Sequence, residues 1–219
     1  MKSLTYRLQY ALFLLFINLA PLISAFGQIT PSQDSYTNTA TDITNYGTAT
    51  TLGVAGSSTS IQNTYIQFNL SSIPAGYTSA NVVKATLKLY VNSVTKAGSF
   101  NVDLVNGGWS EKTITAALSP VLGNTIASSV PLTTANANDY VLIDVTVAVD
   151  EWLNGSEPND GIAIVGNSGL SATFDSKENT GQSHPAELDI VFSSGLPTSC
   201  SANQIPQWNG TAWVCAAED

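Results

Sequence analysis

The sequence predicts an all-β protein, an antiparallel two-sheet β-sandwich of the jelly-roll type with one short helix. Only 11% of the residues are charged, against about 25% in typical soluble domains, and Ser, Thr, Asn and Gly are abundant instead. Apolar and polar residues alternate with a period of two in many short runs. Gly, Pro, Asn or Ser bounds each run, as turn residues bound strands. Many half-buried strands with almost no helical pattern favour two stacked antiparallel sheets.

Residues 1–27 are predicted to be a signal peptide. Lys2 and Arg7 give it a positive start, and small residues at Ala25 and Gly27 suit cleavage. The apolar run between these features is about 14 residues long, shorter than the roughly 20 that span a bilayer. No later stretch is apolar enough to span one, so we expect a secreted protein, extracellular or at the cell surface, that does not cross a membrane once the signal is removed.

Residues 28–192 are predicted to form the sandwich, and its strands follow one another along the chain. The clearest strand is the run 81–91, whose apolar residues share one face: Val83, Ala85, Leu87, Leu89 and Val91. The runs 63–70, 99–105 and 186–192 alternate in the same way. Further strand candidates are the runs 141–147, 161–166 and 171–176.

One helix is predicted within this domain, over Thr146–Leu153. Thr146 could cap its N-terminus, and Gly155 stands where the helix must stop. Ala148 and Val149 would pack with Trp152 through helical spacing, which favours a core or cap position for that tryptophan.

A Ser/Gly/Pro-rich linker, residues 193–199, is predicted to separate the sandwich from a C-terminal appendix, residues 200–219. The appendix is too short to bury a core of its own. In an exported chain its two cysteines, Cys200 and Cys215, are most simply one local disulfide, contributing about 3 kcal/mol by loop entropy. Trp208 and Trp213 should pack on each other, on the sandwich or on a partner chain.

Charge and motifs exclude several functions. The net charge is −9, and without Lys2 and Arg7 it becomes −11, with five lysines against sixteen acidic residues. Nucleic-acid binding normally needs a basic stripe, and one histidine with two cysteines is too few for a zinc or haem site. No nucleophile elbow, zinc-protease motif, P-loop or dinucleotide fingerprint occurs. We therefore expect no enzyme.

The order of several short segments carries a family resemblance. The segments 34–54, 65–91, 109–115, 142–155, 159–166 and 174–192 together resemble the DNRLRE domain, a family of secreted proteins grouped with carbohydrate-binding modules. The resemblance covers roughly the 160 residues of the sandwich domain and implies a β-sandwich that binds polysaccharide. Three features depart from the family pattern: the run 63–70 lacks an early arginine, Asn69 replaces an aspartate and His184 replaces a late arginine.

The appendix is similar to short W-N-G-x-A-W modules of bacterial surface and fibre-like proteins, through residues 203–215. That similarity implies attachment or assembly. An alternative function is therefore a structural or adhesive surface protein, in which the sandwich is a spacer and the appendix drives self-association or binds a partner protein.

Sugar-binding residues are expected among the outward-facing rings, amides and charges. Six residues are candidates for ligand binding: Tyr65, Gln67, Lys84, Lys88, Tyr90 and Trp109. Alternation places all of them except Trp109 on the outward side of their sheets, together with Asn101 and Asp103. Trp109 could instead plug an end of the sandwich. Lys84, Lys88 and Lys96 lie on one strand region and could favour an anionic polysaccharide such as a uronate polymer. The alternatives are an ordinary polar sheet face and edge protection against aggregation.

A structural calcium ion is the one cofactor expected. Loop residues Asp34, Asn45 and Asp175 offer hard oxygen ligands of the kind that calcium prefers, as do Asp42 and Glu178. No EF-hand spacing occurs, and the alternative is that these residues cap their own turns.

Overall fold

The computed structural model describes residues 23–25, 28–193, 200–208 and 213–217. It confirms an all-β antiparallel fold with a single α-helix in the described part of the chain. Most of the predicted signal peptide and linker lie outside the described residues, as do the side chains of Trp208 and Trp213. No helix among the described residues is both long and apolar enough to traverse a lipid bilayer.

The strands and the helix follow in chain order. The strands are β1 (Ile23–Ala25), β2 (Pro31–Asn38), β3 (Thr51–Gly56), β4 (Ile61–Phe68), β5 (Val82–Lys96), β6 (Gly98–Asn106), β7 (Val121–Leu132), β8 (Asp139–Asp144), β9 (Ile162–Gly166), β10 (Ser171–Asp175), β11 (Glu187–Ser193), β12 (Gln204–Trp208) and β13 (Trp213–Ala217). The helix α1 (Thr146–Asn154) lies between β8 and β9.

Eleven strands form one sheet that curls over itself into a sandwich. Its order is β1-β11-β5-β10-β3-β4-β9-β6-β7, with β2 added beside β4 and β8 beside β5. Strand β3 pairs with β10 and with β4, and so joins the two layers. The layers meet through apolar side chains such as Phe100 of β6 and Phe174 of β10, whose ring centroids are 5.9 Å apart. Both rings are fully buried.

The predicted alternation of β5 is confirmed from Ala85 onward. Ala85, Leu87, Leu89 and Val91 are all fully buried. Val83 was expected on the same face, but it is 52% exposed. The register explains this error: Val82 pairs with Phe192 and Lys84 with Val191, so Val83 is the extra residue of a β-bulge.

Helix α1 begins at Thr146 as predicted, but its N-cap is the preceding residue. Val145 is the N-cap residue, so the prediction of Thr146 is wrong. The Thr146 hydroxyl instead donates to Asp144 at 2.6 Å and accepts from the backbone N–H of Ala85 at 3.0 Å. The helix ends as expected, with Gly155 in the left-handed conformation. Trp152 is buried with Ala148 and Val149, which confirms its core position.

The first described residues of the domain lie beside its last strand. Ile29 and Leu188 exchange two backbone hydrogen bonds of 3.0 and 2.9 Å, and β1 pairs with the far end of β11. Strand β11 in turn pairs with β5. The start of the domain therefore reaches the long central strand only through β11.

The appendix contains a hairpin of β12 and β13, in which Gln204 pairs with Ala217. The predicted disulfide is confirmed: Cys200 and Cys215 are bonded, with Cα atoms 5.4 Å apart.

Candidate functional site

Three partly exposed rings gather on β5 and the elements beside it, and we call Tyr90, Tyr140 and His184 the Tyr90 patch. The imidazole of His184 stacks on Tyr90 with centroids 4.1 Å apart and planes inclined by 18°. Tyr140 meets Tyr90 edge-on at 5.2 Å and meets His184 at 6.2 Å. Such offset and edge-to-face pairs are favourable aromatic geometries, so the three rings hold one another in place.

Strand pairing brings these rings together from distant parts of the chain. Tyr90 of β5 lies directly opposite Tyr140 of β8. Two strands pair with the other edge of β5. The pairing with β11 ends at Lys88 and the pairing with β10 starts at Val91, which leaves a gap beside Tyr90. His184 comes from the loop that joins β10 to β11, and its ring packs on Tyr90 beside this gap.

Charged side chains border the Tyr90 patch. The ammonium group of Lys88 lies 2.5 Å from Glu187, 3.8 Å from Asp189 and 5.4 Å from the centroid of the Tyr140 ring. The hydrogen bond to Glu187 raises the pKa of Lys88. Burial raises the pKa of Tyr140, and the charge of Glu187 adds to that effect. Lys88 therefore stays protonated and anchors one side of the patch.

A buried carboxylate lies beneath His184. Asp175 is 1% exposed, and its Oδ1 accepts a 2.9 Å hydrogen bond from Asn92. Its Oδ2 faces Nδ1 of His184 at 3.4 Å. Neither of those two facing atoms has a hydrogen-bond partner among the described residues. Asp175 thus lies in contact with the imidazole without a hydrogen bond to it.

The ligand residues predicted from the sequence lie partly on the surface of β5 and partly in a buried contact between Tyr65 and Trp109. Tyr90 and Lys88 belong to the patch and its border, and Lys84 is exposed further along β5. The expectation that Tyr65 faces outward is wrong, because it is only 1% exposed. Its ring packs against Trp109 with centroids 5.9 Å apart. The three predicted aromatic residues therefore do not converge on one groove.

Trp109 closes a second, smaller core beneath the β6–β7 loop. Its indole N–H donates to the carbonyl of Asp160 at 2.8 Å, and it packs with Tyr65 against Ile114 and Val105. This arrangement matches the expectation that Trp109 plugs part of the sandwich. The loop that carries Trp109 covers the outer face of β4, so Tyr65 is buried although its strand alternates correctly.

Two further polar residues are engaged internally. Gln67 donates to the carbonyl of Asn159 at 2.6 Å and accepts from Gln33 at 2.5 Å. Asp103, expected to face outward, is 8% exposed and accepts a 2.6 Å hydrogen bond from Thr125. Strand β7 covers it, which the alternation of β6 alone does not reveal.

A cluster of three carboxylates joins the start of the domain to two of its loops. Asp34, Glu111 and Glu178 each offer an oxygen within 4.8 Å of the others. Lys177 lies among them, 2.9 Å from Glu111 and in contact with Glu178. Ser176 donates to Asp34 at 3.0 Å. The positive charge of Lys177 thus partly compensates the three carboxyl groups.

Burial sets the protonation of this cluster. Loss of solvent raises the pKa of Asp34 to about 7, despite a backbone hydrogen bond from Lys177. Burial also acts against ionisation of Glu178, but hydrogen bonds from Lys177 and Ser176 outweigh it and lower that pKa. Hydrogen bonds to Glu178 and Glu111 raise the pKa of Lys177, although burial alone would lower it.

Two of the predicted calcium ligands, Asp34 and Glu178, belong to this cluster. Asp175 instead pairs with Asn92 and faces His184. The side-chain amide of Asn45 donates to the carbonyls of Glu111 and Ile114, both at 2.7 Å. Asp34, Asn45 and Asp175 therefore do not form one ligand set, and calcium binding stays a prediction.

Sequence reasoning identified Tyr90 and Lys88 but missed Tyr140 and the part played by His184. Tyr140 lies in a strand recognised by alternation, yet its position opposite Tyr90 depends on the register of β8, which alternation does not determine. The sequence marks His184 as a departure from a family pattern and does not place it in a binding site. The signal that could have indicated it is a lone aromatic, titratable side chain immediately before a strand.

Comparison with known proteins bears on this site. Residues 25–190 match carbohydrate-binding module family 96. The match supports a family of carbohydrate-binding modules, while the DNRLRE name and the similarity of the appendix stay predictions. No curated protein matches the chain.

Proposed function

Since the chain belongs to carbohydrate-binding module family 96, we propose that it binds a polysaccharide on the outer face of β5, at the Tyr90 patch. The observation that carries this location is the cluster itself: three partly exposed rings bordered by Lys88 and Glu187. Sugars present apolar C–H faces together with hydroxyl groups. The ring of a tyrosine or histidine can pack on the C–H face, and its polar atoms can hydrogen-bond to the hydroxyl groups. The neighbouring charged side chains can also bind the hydroxyls.

The patch is organised before a ligand arrives. The stack of His184 on Tyr90, the buried Asp175 beneath it and the ion pair of Lys88 with Glu187 each restrict a side chain that would touch the sugar. Side chains that are already ordered lose less conformational entropy on binding. This order favours recognition of a sugar surface without movement of the backbone.

We propose that binding is the whole activity. Carbohydrate-binding modules are usually non-catalytic, and the family match supports that function for this chain. Release of reducing ends or of unsaturated sugars from any polysaccharide by the purified protein would contradict the proposal.

We further propose that the polysaccharide is anionic. Lys84, Lys88 and Lys96 all belong to β5, and they are three of the five lysines that follow residue 27. Lys88 is neutralised by Glu187 and Asp189, whereas Lys84 and Lys96 make no ion pair within the described residues. An acidic polymer should therefore bind more tightly than a neutral one, with an affinity that falls as salt is added.

Export of the protein is also proposed. It is supported by the charged and apolar leader of residues 1–27 and by the Cys200–Cys215 disulfide, because disulfides persist in oxidising compartments. Sequencing the N-terminus of protein collected outside the cells would test it, with a start after Ala25 or Gly27 expected.

Affinity electrophoresis would test binding at the patch. Native gels containing polygalacturonate, xylan or dextran should retard the protein on at least one polymer. Tyr140→Ala should raise the apparent dissociation constant about tenfold, since an aromatic contact is worth on the order of 1 kcal/mol or more. Tyr46→Ala is the matched control, because Tyr46 stacks on Tyr36 in another part of the sandwich. Migration unaffected by every polymer would contradict the proposed function, and equal losses in both variants would contradict its location.

A further inference from the structure

A pocket of about 470 Å³ opens where the loop between β3 and β4 meets the loop between β9 and β10. Its walls include residues 56–58, 60 and 168–171, and Lys96 at the end of β5 completes it. A second pocket of about 340 Å³ adjoins it and shares Gly56 and Ser168. Small-molecule sites in proteins span about 300–1,000 Å³, so both are large enough for a small ligand.

Close contacts between the two loops make the floor of this pocket rigid. Gly56 donates its N–H to Leu170 at 3.1 Å and accepts from Gly169 at 3.0 Å. A Cβ atom at Gly56 would lie 1.9 Å from the carbonyl oxygen of Asn167, and one at Gly166 would lie 2.7 Å from Ala55. Only glycine permits this approach, so the loops are held at a fixed separation.

Unpartnered polar side chains converge on the pocket. The hydroxyls of Ser58 and Ser168, the amide of Gln62 and the ammonium of Lys96 all line it. None of these four groups has a hydrogen bond or ion pair within the described residues. Lys96 is also the only charged residue of the lining. The adjoining pocket adds apolar surface from Ile61 and Val165.

We propose that these adjoining pockets, here called the Ser168 pocket, bind the two terminal sugar units of a glycan chain. One sugar would donate and accept hydrogen bonds with the free hydroxyl, amide and ammonium groups. The apolar C–H face of the next would lie against Ile61 and Val165. No aromatic residue lines either pocket, so recognition relies on hydrogen bonds to one chain end rather than on ring stacking along a chain.

The Ser168 pocket is a separate site from the Tyr90 patch. Lys96 and Tyr90 both belong to β5, and at about 3.3 Å per residue they lie about 20 Å apart. The inference rests on the proposed carbohydrate binding, and it adds a second site with a different mode of recognition. A glycan bound at both sites would gain avidity from the short span between them.

Amide spectra of the full chain would test this site. ¹H–¹⁵N correlation spectra would be recorded during titration with xylotriose, a neutral probe, and with trigalacturonate, an acidic one. We expect saturable shifts of the amides in residues 56–60 and 167–171 with at least one probe. These shifts should persist in Tyr90→Ala, because that variant alters only the patch.

Paired variants identify the residues that act in the pocket. Gln62→Leu combined with Lys96→Gln should weaken the titration of these loop amides at least tenfold, since one hydrogen-bonding group and the only charge of the lining are lost. Lys112→Gln is the matched control, because Lys112 is exposed, makes no ion pair within the described residues and lies outside the pocket. An unchanged melting temperature would show that each variant is folded.

The outcomes separate this inference from the proposed function. Shifts confined to the surroundings of Tyr90 and Tyr140 would overturn the Ser168 pocket and leave the proposed function standing. Loop shifts that weaken equally in the pocket double variant and in Lys112→Gln would also overturn it. Loop shifts without any change at the patch would support the pocket and contradict the proposed location at Tyr90. A spectrum unchanged by both probes would overturn the Ser168 pocket, whereas the proposed function fails only if no polymer retards the protein in affinity electrophoresis.

Discussion

His184 owes its position to the backbone of the residue before it. Ser183 has a φ of 54°, in the left-handed region that residues other than glycine seldom occupy. Its N–H is bonded to the carbonyl of Asn179 at 3.0 Å. This turn directs the imidazole onto Tyr90. Unusual backbone conformations of this kind are kept where the surrounding structure requires them.

The stack suggests a prediction for His184. His184→Ala should weaken polysaccharide binding several-fold, because the ring that holds Tyr90 is lost. His184→Phe should retain most of the affinity, since a second aromatic ring can stack in the same place. Isothermal titration with the polymer that retards the protein most would measure both. Equal affinities of His184→Ala and the unmodified protein would contradict the role given to the stack.

Asp34 should make stability depend on pH. Its pKa is about 7 in the folded chain against an ordinary 3.8, so folding favours the protonated carboxyl. The stabilisation that this preference gives is complete below pH 3.8 and is lost as the pH rises through about 7. Asp34→Asn should remove this decrease in the free energy of unfolding with rising pH, which is about 4 kcal/mol at most. Urea unfolding between pH 4 and pH 8 would measure the difference.

The matched control for that experiment is Asp42→Asn, because Asp42 is exposed and its side chain makes no hydrogen bond within the described residues. It removes the same charge without altering the buried cluster. Glu178 acts in the opposite direction, since its lowered pKa stabilises the fold at higher pH and that contribution is lost on acidification. A pH profile of Asp34→Asn parallel to that of the unmodified protein would contradict the assignment.

Substitution of two glycines compares the effect of an added Cβ atom at a closely packed position and at an open one. Gly56→Ala should destabilise the fold by about 1–3 kcal/mol, because its Cβ would meet the Asn167 carbonyl. Gly108→Ala should change the free energy of unfolding by less than about 0.5 kcal/mol, since nothing lies within 4 Å of its added Cβ. Urea unfolding at one pH would compare them, and equal effects would show that the loops can move apart.

At the scale of single elements, the sequence predicts what depends on one strand or helix alone. The inner face of β5 from Ala85 to Val91 and the end of α1 at Gly155 follow from periodicity and from glycine geometry. The exposure of Val83 does not, because the bulge arises from pairing with β11. The burial of Tyr65 depends on a loop folding over the sheet, and the Tyr90 patch depends on strand register. Both are tertiary effects that no local pattern encodes.

The hydroxyl group of Thr146 links helix α1 to β5. Thr146→Val keeps the shape of the side chain but removes the bonds to Asp144 and to the N–H of Ala85. Leaving a buried N–H unpaired should cost about 1–3 kcal/mol of unfolding free energy. Val147→Thr makes the reverse change at a position that is 56% exposed, and it should cost less than about 0.5 kcal/mol. Thermal unfolding of both variants would decide whether the hydroxyl has this role.

At the scale of the whole molecule, the alternative role of the appendix can be tested by size. If residues 200–219 drive assembly, the full chain should elute from a size-exclusion column as a larger species than a chain shortened to end at Phe192. Exposed apolar residues Ile205 and Val214 on the hairpin are consistent with a contact there. Two monomers would contradict assembly and leave the carbohydrate-binding role unaffected.

The predicted calcium ion has a thermodynamic test. A bound ion stabilises the folded protein in proportion to the logarithm of its concentration, so removing calcium with a chelator should lower the melting temperature. Lys177→Met should enlarge that effect if the ion binds among Asp34, Glu111 and Glu178, because the competing ammonium group is removed. A melting temperature that calcium does not change in either protein would contradict the prediction.

The pairing of Ile29 with Leu188, and of β11 with β5, has a consequence for how the chain acquires its shape. Central strand β5 lacks one neighbour until residue 193 is available, so a ribosome that has made only the first half of the domain holds a fragment that cannot close its sheet. Such long-range pairing slows folding. If the protein is exported as proposed, its chain would therefore stay unfolded until β11 has been made. An unfolded chain is able to pass through a translocation channel.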